Sequence, residues 1–216
     1  MDGVITMEDA RALVGDAKLW PRVRDFLWDF APQVHESWLE PKQLSLRDSP
    51  RVKRYILDSL GVEQCFHAFP KEDGSRILLL DGKILESAAK WLGALACAES
   101  LRRVTSGEIV RELKSKFRGI YPEVFSYTAY FKENDFQRRD AETQRLEDEV
   151  VSTGYNMLFS AIAGLPASLV SRLKFKLPKS LCELCVLCGK EECAVSRPAV
   201  LKLFKLKFPE AYKLCC

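Results

Sequence analysis

The chain has 216 residues, 47% of them hydrophobic and 29% charged, a composition that fits an ordinary soluble globular protein and excludes extended disorder. That length can bury a full core, as one domain or as a domain with a small appendage. The net charge of +3 does not by itself point to nucleic acid, and the apolar run ILLL at 77–80 falls far short of the roughly 18–20 residues of a membrane span.

Strand signals are almost absent, and helix signals recur along the chain. Thr6-x-x-Asp9 predicts a capping box at a first short helix. MDGVITMEDARALV is acidic early and lacks a long apolar stretch, so it does not read as a secretory signal. A cytosolic location follows as an expectation, with the eight cysteines as reduced thiols. Pro21 opens a second helix, on which Val23, Phe26, Leu27 and Phe30 form an apolar stripe at i, i+3, i+4 and i+7. A compact segment follows, QVHESWLEP, with Trp38 between two prolines.

Ser49-Pro50 starts the next helix, whose inner face is read as Val52, Tyr55, Ile56 and Leu60. From Ile77 to about Val104 the pattern is helical and mostly buried, with Gly82 and Gly93 as kinks or close contacts. Thr105-x-x-Glu108 is a second capping-box signature. After an aromatic-rich connection and a highly charged segment, Leu146, Val150, Gly154, Leu158 and Ile162 recur every fourth residue. That spacing predicts a long helix with a close contact at Gly154, where glycine would otherwise be costly.

GLP at 164–166 turns the chain into a helix on which Leu169, Val170 and Leu173 face inward. Arg172, Lys174 and Lys176 are read there as solvent-exposed. Beyond Pro178 comes a cysteine-rich stretch, then a last helix from Ser196-x-Pro198 to Phe208, ended by Pro209. Within it Val200, Leu203 and Phe204 favour docking on the body rather than a membrane surface. The expected fold is all-α, a globular domain of irregular, non-bundle packing. An all-helical domain over 1–178 precedes a cysteine-rich basic tail over 179–216, packed on it or appended to it.

The sharpest chemical motif is CELCVLCGKEEC, with Cys182, Cys185, Cys188 and Cys193. Two-residue gaps let thiolates converge on one zinc or an iron–sulfur centre. The other reading is structural: at helical spacing the first three share a face with Leu181 and Leu184 as small hydrophobes. His35 and His67 have no neighbouring nucleophile arrangement and read as structural. No phosphate loop, dinucleotide fingerprint or zinc-protease motif is present.

Charge is uneven. From Arg172 onward ten basic residues face four acidic ones, while residues 1–171 carry 23 basic and 26 acidic. A basic tail on a mildly acidic body suggests an acidic partner surface, with a solvated lysine face as the alternative. Arg172, Lys174 and Lys176 are the candidate partner-binding residues, extended by Lys202, Lys205 and Lys207. Nucleic acid is disfavoured, because the tail offers only Phe204, Phe208 and Tyr212 for stacking.

In order, four blocks resemble one family. FLWDFAPQVHESWLE is similar to its N-terminal signature, with His35, Ser37, Trp38 and Leu39 matching and Glu36 where proline is frequent. SPRVKRYILDSLG is similar to its first long helix, and SRILLLDGKILESAAKWLGALACAESLRRVTSGEIVRELKSKFRG to its leucine-rich middle. AIAGLPASLVSRLKFKLP resembles its closing signature. The family is that of type III secretion accessory protein K (YscK-like), and the resemblance covers about residues 23–178. It implies a non-enzymatic, cofactor-free adaptor of the cytoplasmic sorting platform, peripheral to the bacterial inner membrane through protein partners. Those implied partners are the cytoplasmic domain of the inner-membrane ring protein and a switch-like pod protein. Through the pod protein the adaptor would reach the stalk protein and the export ATPase. The alternative function is a metal-binding regulatory protein centred on Cys182–Cys193.

Overall fold

The computed structural model describes residues 6–63, 66–71, 74–131, 146–180 and 197–216. Their regular elements are all helical, in chain order α1 (Met7–Val14), α2 (Trp20–Leu27), α3 (Pro41–Ser45), α4 (Pro50–Ser59), α5 (Gly82–Ala96), α6 (Ala98–Arg103), α7 (Gly107–Lys116), α8 (Val124–Tyr127), α9 (Leu146–Ala161), α10 (Ala167–Phe175), α11 (Arg197–Lys207) and α12 (Pro209–Cys215). Short 3-10 turns punctuate them, and an isolated bridge between Arg118 and Tyr121 is the one strand-like pairing among the described residues. The fold is all-α, as the periodicities predict.

The chain divides into two compact units. One comprises Met1–Gly82, Gly164–Ser180 and Lys213–Cys216, and the other Lys83–Ala163 and Leu181–Tyr212.

In the first unit, Thr6 and Asp9 form the expected capping box on α1, with the Thr6 hydroxyl accepting the Asp9 N–H at 3.2 Å. Pro21 lies in the first turn of α2, and the whole stripe Val23, Phe26, Leu27 and Phe30 is buried. Phe26 meets Phe30 and Phe69 edge-on, with ring centroids 5.5 and 5.7 Å apart. That geometry suits the aromatic quadrupoles. α4 packs on the 3-10 turn Ala31–Gln33. It buries Ile56 there, and Lys53 pairs with Asp29 at 2.9 Å. Arg47, in the corner before α4, donates to the carbonyls of Ala31, Pro32 and Val34. Tyr55 is not on the inner face as expected but 60% exposed, because Ile56 and its helical neighbours take that side.

The single helix expected over 77–104 is three pieces: a 3-10 turn Ser75–Leu79, then α5, then α6. Leu80 is extended, and its carbonyl accepts from the Lys176 side chain rather than from a helical N–H. A Cβ on Gly82 would come within 2.8 Å of the Lys176 carbonyl oxygen, so the residue that opens α5 is held to glycine by a close approach.

In the second unit, α5 and α9 cross at two glycines. A Cβ on Gly154 would fall on the Ala89 carbonyl, and one on Gly93 on the Val150 carbonyl. The close contact expected at Gly154 is present, and Gly93 is its counterpart. α11 packs on α9 with Val200, Leu203 and Phe204 buried. Two expectations fail locally. Ser106, not Thr105, occupies the N-cap of α7 and makes no side-chain cap bond. α11 stops at Lys207, just before Pro209 as expected, but it is not the last helix: Pro209 also opens α12, since proline at a first helical position sacrifices no internal bond.

Candidate functional site

The densest set of long-range polar contacts in the first unit gathers around α10 and the six residues before Pro41. It starts from the local form of HESW. His35 is extended and caps the 3-10 turn Glu36–Trp38, with its Nδ1 accepting the Ser37 N–H at 3.2 Å. The turn aims three groups at the end of α10. The His35 N–H donates to the Phe175 carbonyl at 2.7 Å. The Ser37 hydroxyl oxygen accepts the Lys179 N–H at 2.8 Å, and the Trp38 indole N–H donates to the Leu177 carbonyl at 2.8 Å. Trp38 also stands edge-on to Phe175, centroids 5.1 Å apart. The ring is half-buried, so Trp38 is a packing residue, as its place between prolines suggests. HESW is therefore bonded to the last residues of the closing signature, Phe175 and Leu177, and to Lys179 just beyond it.

α10 carries a second set of contacts inward. Arg172 is 1% exposed. Its Nη1 donates to the carbonyls of Phe26 and Leu27, and its Nη2 to that of Glu63 at 2.7 Å. The guanidinium lies 5.7 Å from the Phe26 ring centroid and 5.4 Å from that of Phe30. Lys176 is 3% exposed and donates to the carbonyls of Leu78 and Leu80 at 2.7 and 2.9 Å, with its Nζ 4.9 Å from the Phe26 ring centroid. Burial pushes the Lys176 ammonium down to about 7; Asp81 opposes that shift and Arg22 adds to it. A neutral amine still donates both hydrogen bonds.

The exposed stripe expected at Arg172, Lys174 and Lys176 is thus corrected. Two of the three are interior side chains that bind backbone carbonyls, and Lys174 alone is half-exposed, 5.5 Å from the Trp38 ring centroid. Position overrode residue type: Leu169, Arg172, Leu173 and Lys176 recur at i, i+3, i+4 and i+7, the spacing of one buried face. That pattern was the available signal. Cations are stable there because flexible stems carry them to carbonyls that the 3-10 turn, the end of α2 and the residues after α4 leave without helical donors.

The C-terminal lysines diverge too. Lys205 is exposed, and Lys202 is half-buried with its Nζ 5.2 Å from the Phe131 ring centroid. Lys207 is enclosed by Trp91 and Tyr127, at 4.2 and 4.1 Å from their centroids, and ion-paired to Glu123. Cys182, Cys185, Cys188 and Cys193 lie outside the described residues. Among the described residues no cluster of three or more His, Cys, Asp or Glu side chains could hold a metal. Cys97 and Cys215 are buried, and Cys216 is exposed. No described helix is long and apolar enough to cross a membrane.

A family model, YOP proteins translocation protein K (YscK), matches residues 23–215. The match begins within α2, takes in both signatures and runs on through the tail that the resemblance left out. No curated protein and no solved structure matches the chain.

Proposed function

This chain belongs to the YscK family of type III secretion proteins, and from that premise we propose that it is a non-enzymatic adaptor of the secretion machinery. In this reading it joins the cytoplasmic domain of the inner-membrane ring protein to a switch-like pod protein, and through the pod to the stalk protein and export ATPase. It sits at the cytoplasmic face of the inner membrane by way of those partners. The family match over residues 23–215 carries the reading. The chemistry of the signatures supports it, since His35, Ser37 and Trp38 engage backbone groups of residues 175–179 and serve to fix a surface.

Purified chain, ring-protein cytoplasmic domain and pod protein from the same secretion system should co-migrate as one ternary species on size exclusion with light scattering. Ring domain and pod protein should not co-migrate without the chain. If the chain binds neither, or if the two associate equally well in its absence, the adaptor reading fails.

A further inference from the structure

We propose that the α3–α4 corner, residues 42–55, is the surface of this chain that docks an acidic, apolar segment of a protein partner; the proposal rests on the adaptor reading. Seven large apolar side chains are exposed among the described residues, and three of them, Leu44, Leu46 and Tyr55, fall in this short stretch. Leu46 and Tyr55 are 58% and 60% exposed. Clustered exposure of this kind marks contact surfaces more than isolated apolar residues do.

Charge identifies the occupant. The segment carries Lys42, Arg47, Arg51, Lys53 and Arg54 against Asp48. Lys53 is paired with Asp29, and Arg47 is engaged by three carbonyls. Lys42, Arg51 and Arg54 are exposed and enter no ion pair among the described residues. On α4, Arg51, Arg54 and Tyr55 stand at i, i+3 and i+4, so two cations and a phenol share the outward face. Leu46 caps the end of α3 ahead of the turn into α4, its carbonyl accepting the Ser49 N–H at 2.9 Å. The partner that complements this face presents apolar side chains flanked by aspartate or glutamate.

The surface is also held in place. Arg47 ties the corner to the backbone at 31–34, Lys53 ties α4 to Asp29, and Ile56 is fully buried beneath. A face already ordered loses little conformational entropy on docking. Arginine and tyrosine at its centre are the residue types that most often dominate interface energies.

The test uses full-length protein in two variants, Leu46→Asp/Tyr55→Ala and Arg51→Glu/Arg54→Glu. Each is titrated against the ring-protein cytoplasmic domain and the pod protein separately. All four positions are exposed, and matching thermal melts check the fold. The expected result is a loss of about tenfold or more in affinity for one of the two proteins with the other unchanged. For that protein, wild-type association should slow as salt rises, and the Arg51→Glu/Arg54→Glu variant should lack that dependence. If wild type binds both proteins and both variants bind them as tightly, the surface assignment is overturned and the adaptor reading stands. If wild type binds neither, both fall.

Discussion

The hydroxyl of Ser37 accepts the backbone N–H of Lys179 at 2.8 Å, across 142 positions of sequence. With the His35 and Trp38 bonds to Phe175 and Leu177, it closes the first unit around α10. The family's two signature segments are thus the two sides of one joint. The joint's energetics can be tested residue by residue.

Trp38→Ala should destabilise the protein by about 2–3 kcal/mol, less than a fully buried tryptophan would because the ring is half-buried. Trp38→Phe keeps an edge for Phe175 but loses the hydrogen bond to Leu177, and should cost about 0.5–1.5 kcal/mol. Urea denaturation followed by circular dichroism separates the two; equal losses would assign the effect to the indole N–H alone.

Arg172→Met removes the donor from three carbonyls, those of Phe26, Leu27 and Glu63. Each interior acceptor left without a partner costs on the order of 1–3 kcal/mol, with some recovered by apolar packing of the methionine. A net loss of about 3–5 kcal/mol is expected from the same denaturation experiment. A loss below about 1 kcal/mol would mean that the guanidinium is hydrated and not interior.

Lys176 makes stability depend on pH with a definite sign. In the folded protein its ammonium releases the proton near 7, and in the unfolded chain near the ordinary 10.5. Between those values the unfolded state binds more protons, so this group makes the protein more stable as pH rises from about 7, by about 1.4 kcal/mol per unit. Below 7 both states are protonated and the slope vanishes. Above about pH 9 the Cys215 thiol, which burial pushes up to about 12, adds an opposing slope to the stability of wild type and variant alike, so the comparison is cleanest between pH 7 and 8.5. The difference in unfolding free energy between wild type and Lys176→Met should grow across that interval; a constant difference would show that Lys176 titrates normally.

Gly154→Ala would favour α9 by about 0.5–1 kcal/mol if its Cβ had room. It has none, since the Ala89 carbonyl occupies the place, so a net loss of about 1–3 kcal/mol is expected. Gly93→Ala should behave alike, and the double variant should cost less than the two together because one helix separation relieves both clashes. Additive losses would mean that the two glycines sit at independent contacts.

Much of this was legible in periodicity. The buried stripe of α2, the glycine crossing on α9 and the packing role of Trp38 follow from spacing and residue size, which act locally. The interior cations were not legible from residue type, because lysine and arginine are ordinarily solvated. Their destination is set by carbonyls at 26, 27, 63, 78 and 80, distant in sequence from α10. The breaks flanking α5 were hidden for a related reason. Leu80 has helical neighbours in sequence, and its carbonyl is taken by Lys176 from 96 positions away. The docking corner was half legible: its charges are in plain view, but the outward turn of Tyr55 depends on which side of α4 the turn at 31–33 covers.

Hydrogen exchange of the full chain, alone and with the ring-protein domain, the pod protein or both, separates an adaptor from a protein with a single docking site. An adaptor predicts slowed exchange in two separate segments, one for each partner, one of them within residues 42–55, and both retained in the ternary mixture. Protection of a single segment for which the two proteins compete, or no change with either, would contradict the account.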